Sequence, residues 1–145
     1  MKKFIILISI LTISAFQSCK KEDSPGDNYD FSNSIAPYVT IEALEDIEVA
    51  AGDVVDVTLQ MRTSLQQSVT ATYKVTGIIN TPSATVVFPA EETEASASLT
   101  IPVNAAVGST AVFTLVSAKT ADGKSLTIGQ NANSAQQTFT IEVVQ

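Results

Sequence analysis

Apolar side chains recur at every second position between residues 37 and 145, and no stretch of this region sustains the 3.6-residue period of an amphipathic helix. The alternation is clearest at residues 54–62, where the apolar side chains share one face of the segment. They are Val55, Val57, Leu59 and Met61. A strand with this pattern packs its apolar face on a core and leaves its polar face in water. The pattern therefore predicts an all-β domain.

Short alternating segments separated by turn sequences fill this domain. They cover residues 38–43, 47–50, 54–62, 69–76, 85–88, 95–103, 110–118, 125–128 and 139–143. We expect about seven short strands from these segments, and such a number without crossover helices predicts an immunoglobulin-like Greek-key β-sandwich of two sheets. The chain has no Cys pair and no Trp, so the antibody type of this domain is excluded.

Proline interrupts the predicted strand at residues 95–103. The alternation places Ala95, Ala97, Leu99, Ile101 and Val103 on the core side. Pro102 has no N–H to donate to a sheet, so we expect a bulge or the end of the strand at this residue.

The composition excludes several classes of function. Of 145 residues, 15 are acidic and 8 are basic, so the surface is unsuited to the phosphates of nucleic acid. Histidine is absent, which removes the Ser-His-Asp triad, the Cys-His dyad and imidazole zinc sites. A glycosidase needs only two carboxylates, but no part of the sequence predicts a cleft to hold them. We therefore expect no enzymatic activity.

The first 18 residues have the organisation of a signal peptide. Lys2 and Lys3 form a basic start, and residues 4–13 form the apolar run FIILISILTI. A membrane-spanning helix needs about 20 apolar residues, so this run is too short to span a bilayer. Residues 1–18 are therefore predicted to direct export.

The single cysteine follows this run. The stretch Phe16-Gln17-Ser18-Cys19 resembles the cleavage box of bacterial lipoproteins. The resemblance implies that Cys19 becomes the first residue and carries diacylglycerol and acyl lipid. Phe16 and Gln17 depart from the commonest box, which has Leu and a small residue there. The alternative is an ordinary secretory cleavage site beside a free cysteine.

A charged run and a linker follow the cysteine. Lys20, Lys21, Glu22 and Asp23 resemble the export signal of lipoproteins displayed on the outer face of the outer membrane; the alternative is a solvated charge run. Residues 19–36 are rich in Ser, Asp, Asn and Gly, which is typical of a flexible linker. Together these features predict a domain held by its lipid at the outer membrane and facing the cell exterior.

Two adjacent motifs resemble the middle of a Calx-beta domain. They are TVVFPAEET at residues 85–93 and ASLTIPV at residues 97–103, matching an apolar strand that ends in Phe-Pro-Ala-Gly-Glu-Thr and a strand that ends in Ile-Pro-Ile. Residues 113–115, 126–129 and 139–141 are similar to the last two strands of that family. The likeness covers about residues 38–144 and implies the same β-sandwich.

The acids that bind calcium in that family are missing here. The family carries them after the Ile-Pro-Ile strand and at the C-terminus, where this chain has Asn-Ala-Ala and Val-Gln. Calcium takes about six to eight oxygen ligands. Among the remaining acids, the best candidates for calcium ligands are Glu45, Asp46 and Asp53. We expect no metal, and no cofactor other than the lipid on Cys19.

An anchored domain without a catalytic site is predicted to bind a partner. We expect a cell-surface protein, bound through loops 64–68, 77–83 and 130–136 or through an edge strand, in a structural or accessory role. The alternative is capture of a glycan, which commonly requires exposed aromatic rings. The domain offers Tyr38 and Tyr73 for this purpose, because Phe88, Phe113 and Phe139 are predicted to lie in the core.

Replacing Cys19 removes the sulfur that the lipid requires. We expect Cys19→Ala to move the protein from the membrane fraction to the soluble fraction, as measured by cell fractionation. The control Ser18→Ala keeps a small residue before the cysteine and should leave the protein with the membrane. An unmodified Cys19 thiol in the mass spectrum of the native protein would contradict the prediction.

Overall fold

The computed structural model describes residues 36–134 and 137–145, which form nine β-strands and one turn of 3₁₀ helix at Gln130–Ala132. The strands are β1 (Tyr38–Ile41), β2 (Ile47–Ala50), β3 (Val54–Met61), β4 (Val69–Gly77), β5 (Thr81–Phe88), β6 (Glu94–Thr100), β7 (Thr110–Thr120), β8 (Ser125–Ile128) and β9 (Thr138–Val144). The predicted signal peptide, Cys19 and residues 20–23 lie outside this part of the chain. Within it, no helix has the length and apolar character to cross a bilayer.

The strands form the immunoglobulin-like Greek-key sandwich that the sequence predicts. Sheet A contains β1, β3 and β6, and sheet B has the strand order β2-β9-β7-β4-β5. Most pairs are antiparallel, whereas β2 runs parallel to β9 and β8 runs parallel to β1. There are nine strands rather than about seven, because the short segments β2 and β8 both pair with longer neighbours.

The core forms from the inward face of each alternating strand. Leu59 and Leu99 of sheet A and Phe113 and Ile141 of sheet B belong to one buried cluster. In sheet B, the ring of Phe113 stacks on Tyr73 at 4.8 Å and on Phe139 at 5.5 Å between centroids. Burial of aromatic rings in such stacks is a large part of the stability of a small sandwich.

The structure corrects one core assignment. Strand β6 ends at Thr100, so the predicted strand end before Pro102 is confirmed. Ile101 is buried, but Val103 is 84% exposed and does not face the core. Beyond Pro102 the chain turns, with the Ala105 amide donating to the Pro102 carbonyl, and the alternation of faces no longer applies.

Several strand boundaries also differ from the prediction, and β1 ends at Ile41 rather than at residue 43. Strand β5 begins at Thr81 rather than at residue 85, and therefore includes Pro82. A proline fits there because β5 lies at the edge of sheet B, where a missing N–H breaks no ladder bond. Strand β3 ends at Met61, before Arg62, and β7 continues to Thr120.

The corrected orientation of Val103 predicts a large loss of stability for one truncation and almost none for another. Leu99 is 5% exposed, so we expect Leu99→Ala to lower the free energy of unfolding by about 2–5 kcal/mol. Val103→Ala removes methyl groups that are already in water and should change it by less than about 0.5 kcal/mol. Urea denaturation measures both, and a large cost at Val103 would show that this side chain packs in the core.

Candidate functional site

One long side of the sandwich is closed by β8. This strand pairs antiparallel with the end of β7 and parallel with β1, and so links the two sheets. After the strand, the Gly129 amide donates to the Val39 carbonyl at 2.8 Å. The backbone groups on this edge of β1 are therefore hydrogen-bonded as far as Val39.

A buried glutamine continues this closure past the end of β8. The side-chain oxygen of Gln137, a residue only 3% exposed, accepts the Ile41 amide at 2.8 Å and the Thr40 hydroxyl at 2.9 Å. Gly129 has a φ of +75°, and a Cβ there would lie 2.6 Å from the Asn133 carbonyl oxygen. The chain can therefore bring Gln137 against β1 only with glycine at position 129.

The opposite long side is open. In the described parts of the chain, β5 at the edge of sheet B and β6 at the edge of sheet A each pair on one side only. Alternate residues of an antiparallel strand direct their backbone groups to opposite sides. The Met61 amide donates to the Thr93 carbonyl, and the Ile101 amide donates to the Asp53 carbonyl. The backbone groups of the odd-numbered residues between 93 and 101 therefore point toward β3.

The remaining backbone groups of β6 point away from the sheet. They are the N–H and C=O groups of Glu94, Ser96, Ser98 and Thr100, which we call the free edge of β6. Strand β6 pairs with β3 over seven consecutive residues without a bulge, so this row is regular. A regular row of unpaired donors and acceptors can accept another strand.

The edge of β5 is less regular. The hydrogen bonds and register of β4 give the same result for β5. They place the backbone groups of Ser83, Thr85 and Val87 on the side of β5 that faces away from β4. Pro82 lacks an N–H, and the register with β4 shifts between Tyr73 and Val75. A bulge and a proline both limit strand addition, so β6 is the better edge.

The outer face of sheet A is polar, and its charged side chains on β3 and β6 are acidic. The outward side chains of these strands are Val54, Asp56, Thr58, Gln60, Glu94, Ser96, Ser98 and Thr100. The Gln60 side-chain nitrogen donates to Glu42 at 3.1 Å and to Glu94 at 3.2 Å, and the Ser98 hydroxyl donates to Asp56. The strand register therefore brings three carboxylates that are far apart in the sequence to one face of sheet A. They are Glu42, Asp56 and Glu94.

Three of the four basic residues of the domain lie away from sheet A. Residues 37–145 contain eleven acids and only Arg62, Lys74, Lys119 and Lys124 as bases. Lys74 and Lys119 lie on β4 and β7 in sheet B, Lys124 lies in the turn before β8, and Arg62 follows the end of β3. The electrostatic surface of sheet A therefore favours a basic partner.

The three calcium candidates do not form a site in the structure. Asp46 accepts the Thr140 amide at 2.7 Å, and Asp53 accepts the Ala50 amide at 3.2 Å, so both carboxylates serve local backbone structure. Glu45 is exposed. In the described ranges, no three acidic, Cys or His side chains are grouped for a metal ion.

Two of the three predicted binding loops are incorporated into the fold. In loop 64–68, the Leu65 and Ser68 carbonyls accept backbone amides of Glu91 and Ala121. Four of the seven residues of loop 77–83 belong to the strands β4 and β5. Loop 130–136 contains the 3₁₀ turn, and its residues 135 and 136 lie outside the described part. These loops are therefore weaker candidates than the edge.

A turn beside loop 64–68 holds a perturbed carboxylate. The Thr120 hydroxyl donates to Asp122 and holds the pKa of this carboxyl below its usual value. The Asp122 amide also donates to the Gln67 side chain at 3.3 Å. This carboxylate is stabilised by its own turn, and its role is structural.

Two cavities in the described part of the chain are small. They measure about 170 Å³ each and lie beside Ile47 and Phe139 and beside Leu65 and Leu126. Pockets that bind small organic ligands usually measure about 300–1,000 Å³. Tyr73, which the sequence offered for sugar stacking, is 8% exposed and stacks on Phe113 instead. The edge of β6 is therefore the main candidate site.

Comparison with known proteins gives information on the fold alone. No family model and no curated protein matches the chain, so the Calx-beta resemblance remains a prediction. One similar structure is a chain in the crystal structure of a complex of CaCohA2 with a CaDoc0917 variant at pH 5.5. Its sequence is 11% identical and its TM-score is 0.46, and the match covers 74% of the present chain and 99% of the neighbour. CaCohA2 from Clostridium acetobutylicum, solved in solution, is 10% identical, with a TM-score of 0.45, over 75% and 91%. These structural neighbours are cohesin domains, which are β-sandwiches.

The closure by Gln137 can be tested directly. Gln137→Met keeps the length of the side chain but leaves the Ile41 amide without its acceptor. We expect the free energy of unfolding to fall by about 1–3 kcal/mol in urea denaturation. The control Gln66→Met changes an exposed side chain and should cost less than about 0.5 kcal/mol. Equal effects of the two changes would contradict the role of Gln137.

Proposed function

We propose that this protein is a lipid-anchored, noncatalytic β-sandwich on the outer face of the outer membrane, where it binds another protein as a structural or accessory subunit. The free edge of β6 is the observation that carries the binding role. Its four residues present backbone donors and acceptors in one regular row. An extended segment of a partner satisfies such a row by forming a further strand of sheet A.

The anchoring part of the proposal rests on the sequence. Cys19 directly after the apolar run would carry the lipid, and residues 20–23 would direct the protein to the outer face. Several acyl chains on one cysteine make membrane attachment effectively permanent. Residues 19–36 would then serve as the tether between the membrane and the domain.

The resemblance to Calx-beta domains belongs to the same proposal. It is consistent with a sandwich that contributes surface and edges rather than a catalytic centre. The roles of Asp46 and Asp53 as acceptors for backbone amides argue against calcium as the ligand. The burial of Tyr73 argues in the same direction against glycan capture, since a ring packed in the core cannot stack on a sugar.

Crosslinking on intact cells tests the binding role. A photo-crosslinking amino acid at Ser98 would lie on the free edge of β6, whereas the same amino acid at Thr70 would lie on the outer face of sheet B. We expect light to produce one discrete heavier species from position 98 and none from position 70. The partner in that species is then identified by mass spectrometry.

Three results would contradict the proposal. Equal crosslinking from positions 70 and 98, or none from position 98 together with retention of the purified protein on a glycan array, would reject binding of a protein at this edge. External protease should digest the protein on intact cells, since the domain is expected to face the exterior. Protection from protease until the cells are broken would reject surface display.

A further inference from the structure

We propose that the free edge of β6 selects an extended protein segment whose outward side chains are basic at one end and apolar at the other. This inference rests on the proposed function and specifies the chemistry of the partner. An added strand lies about 4.8 Å from β6, and its residues opposite Glu94, Ser96, Ser98 and Thr100 share their outward face. The side chains on that face of sheet A therefore determine which residues of the partner fit.

The start of β6 is strongly acidic. Glu94 is exposed on the strand itself, and Glu91 and Glu92 are exposed in the turn that precedes it. A residue directly opposite Glu94 has its Cβ about 4.5–5.5 Å away, at which distance opposite charges attract and like charges repel. Lys or Arg is therefore favoured at this end of the partner strand.

The middle of β6 carries small side chains that leave a second carboxylate within reach. Asp56 lies opposite Ser98 on β3, and Ser98 donates its hydroxyl to that carboxylate. A partner residue opposite Ser98 is two strand spacings from β3, about 10 Å. A long basic side chain can extend over the serine toward Asp56, whereas a short one cannot.

The end of β6 is apolar on the same face. Thr100 pairs with Val54, which is 60% exposed on the outer face of sheet A. Val54 is in water in the free protein, and a long apolar side chain of the partner opposite Thr100 would extend over the threonine and cover part of the valine.

The charge of the domain favours a different protein over a second copy of this chain. Residues 37–145 have seven more acids than bases. Two free edges brought together would place two acidic sheet faces side by side, and like charges at close range oppose association. A basic segment gains from the same field.

The test uses the full-length lipidated protein in detergent and two heptapeptides. One peptide, designed to pair antiparallel with β6, carries Lys opposite Glu94, Ser96 and Ser98, Leu opposite Thr100 and Val at the other positions; the control has Glu in place of each Lys. Hydrogen exchange of the backbone amides of Glu94, Ser96, Ser98 and Thr100 reports strand addition. We expect the Lys peptide to slow their exchange and to bind at least about tenfold more tightly than the Glu peptide.

Two sets of variants separate the edge from the charge. Ser96→Pro removes an outward N–H without removing a bond to β3, and should weaken binding of the Lys peptide at least about tenfold. The matched change Thr85→Pro on the edge of β5 should leave binding unchanged. Asp56→Asn and Glu94→Gln should each weaken binding about twofold to fivefold, whereas Glu48→Gln and Glu142→Gln, at the far edge of sheet B, should not.

Three results would overturn the inference. Equal binding of the Lys and Glu peptides would mean that the acidic side chains of sheet A do not distinguish basic from acidic partners. Slow exchange of the four amides in the dilute free protein would mean that another part of the same chain covers the edge. Slow exchange that develops with protein concentration would mean that a second copy covers it. Because the peptides need no cellular partner, failure here is distinguishable from failure of crosslinking on cells.

Discussion

Pairing of backbone N–H and C=O groups along the strand edges determines which parts of this domain remain open. On one side, β8 links β7 to β1, and the Gln137 side chain accepts the Ile41 amide beyond the end of β8. An unpaired amide buried there would cost free energy with no compensating contact. In the described parts of the chain, β2, β5 and β6 are left as strands that pair on one side only. Strand β6 is the longest of them that pairs without a register shift.

An open edge is also a hazard, because it can pair with the same edge of another molecule. Natural sheets reduce this risk with charges, prolines and irregular strands. Strand β5 carries Pro82 and a register shift, whereas β6 has neither within the strand. In β6 the protection comes from Glu94 and from the acidic face that extends through Gln60 to Glu42. Charge discourages self-association without blocking the hydrogen-bonding groups, so the edge can remain available to a partner of opposite charge. Specificity of this kind depends on repulsion of the wrong partner as much as on attraction of the right one.

Much of this fold could be predicted from the sequence, because alternation is a local property. The inward residues of β3 and β4 follow directly from it, and Pro102 marks the end of β6. The prediction failed at Val103, where the alternation in the sequence continued after the strand had ended. The candidate site was harder to predict, since the edge position of a strand depends on the order of strands in the sheet. Asp56 and Glu94 are 38 positions apart, and only the register of β3 with β6 brings them to one face. The Ser-Ala-Ser-Leu-Thr run of β6 has small polar residues at its outward positions, a pattern that indicates a solvated face but does not distinguish an edge strand from an inner one.

The proposed anchor and the proposed edge would complement each other energetically. Strand addition at β6 forms few hydrogen bonds, each with a net contribution of about 0.5–1.5 kcal/mol, and association itself costs several kcal/mol. The edge alone would therefore bind a free segment weakly. Two proteins held at one membrane surface meet at a much higher effective concentration than in solution, and a flexible linker of the length of residues 19–36 lets the domain find its orientation. A weak but selective edge suffices under these conditions, since the membrane supplies proximity and the charge pattern supplies the choice of partner.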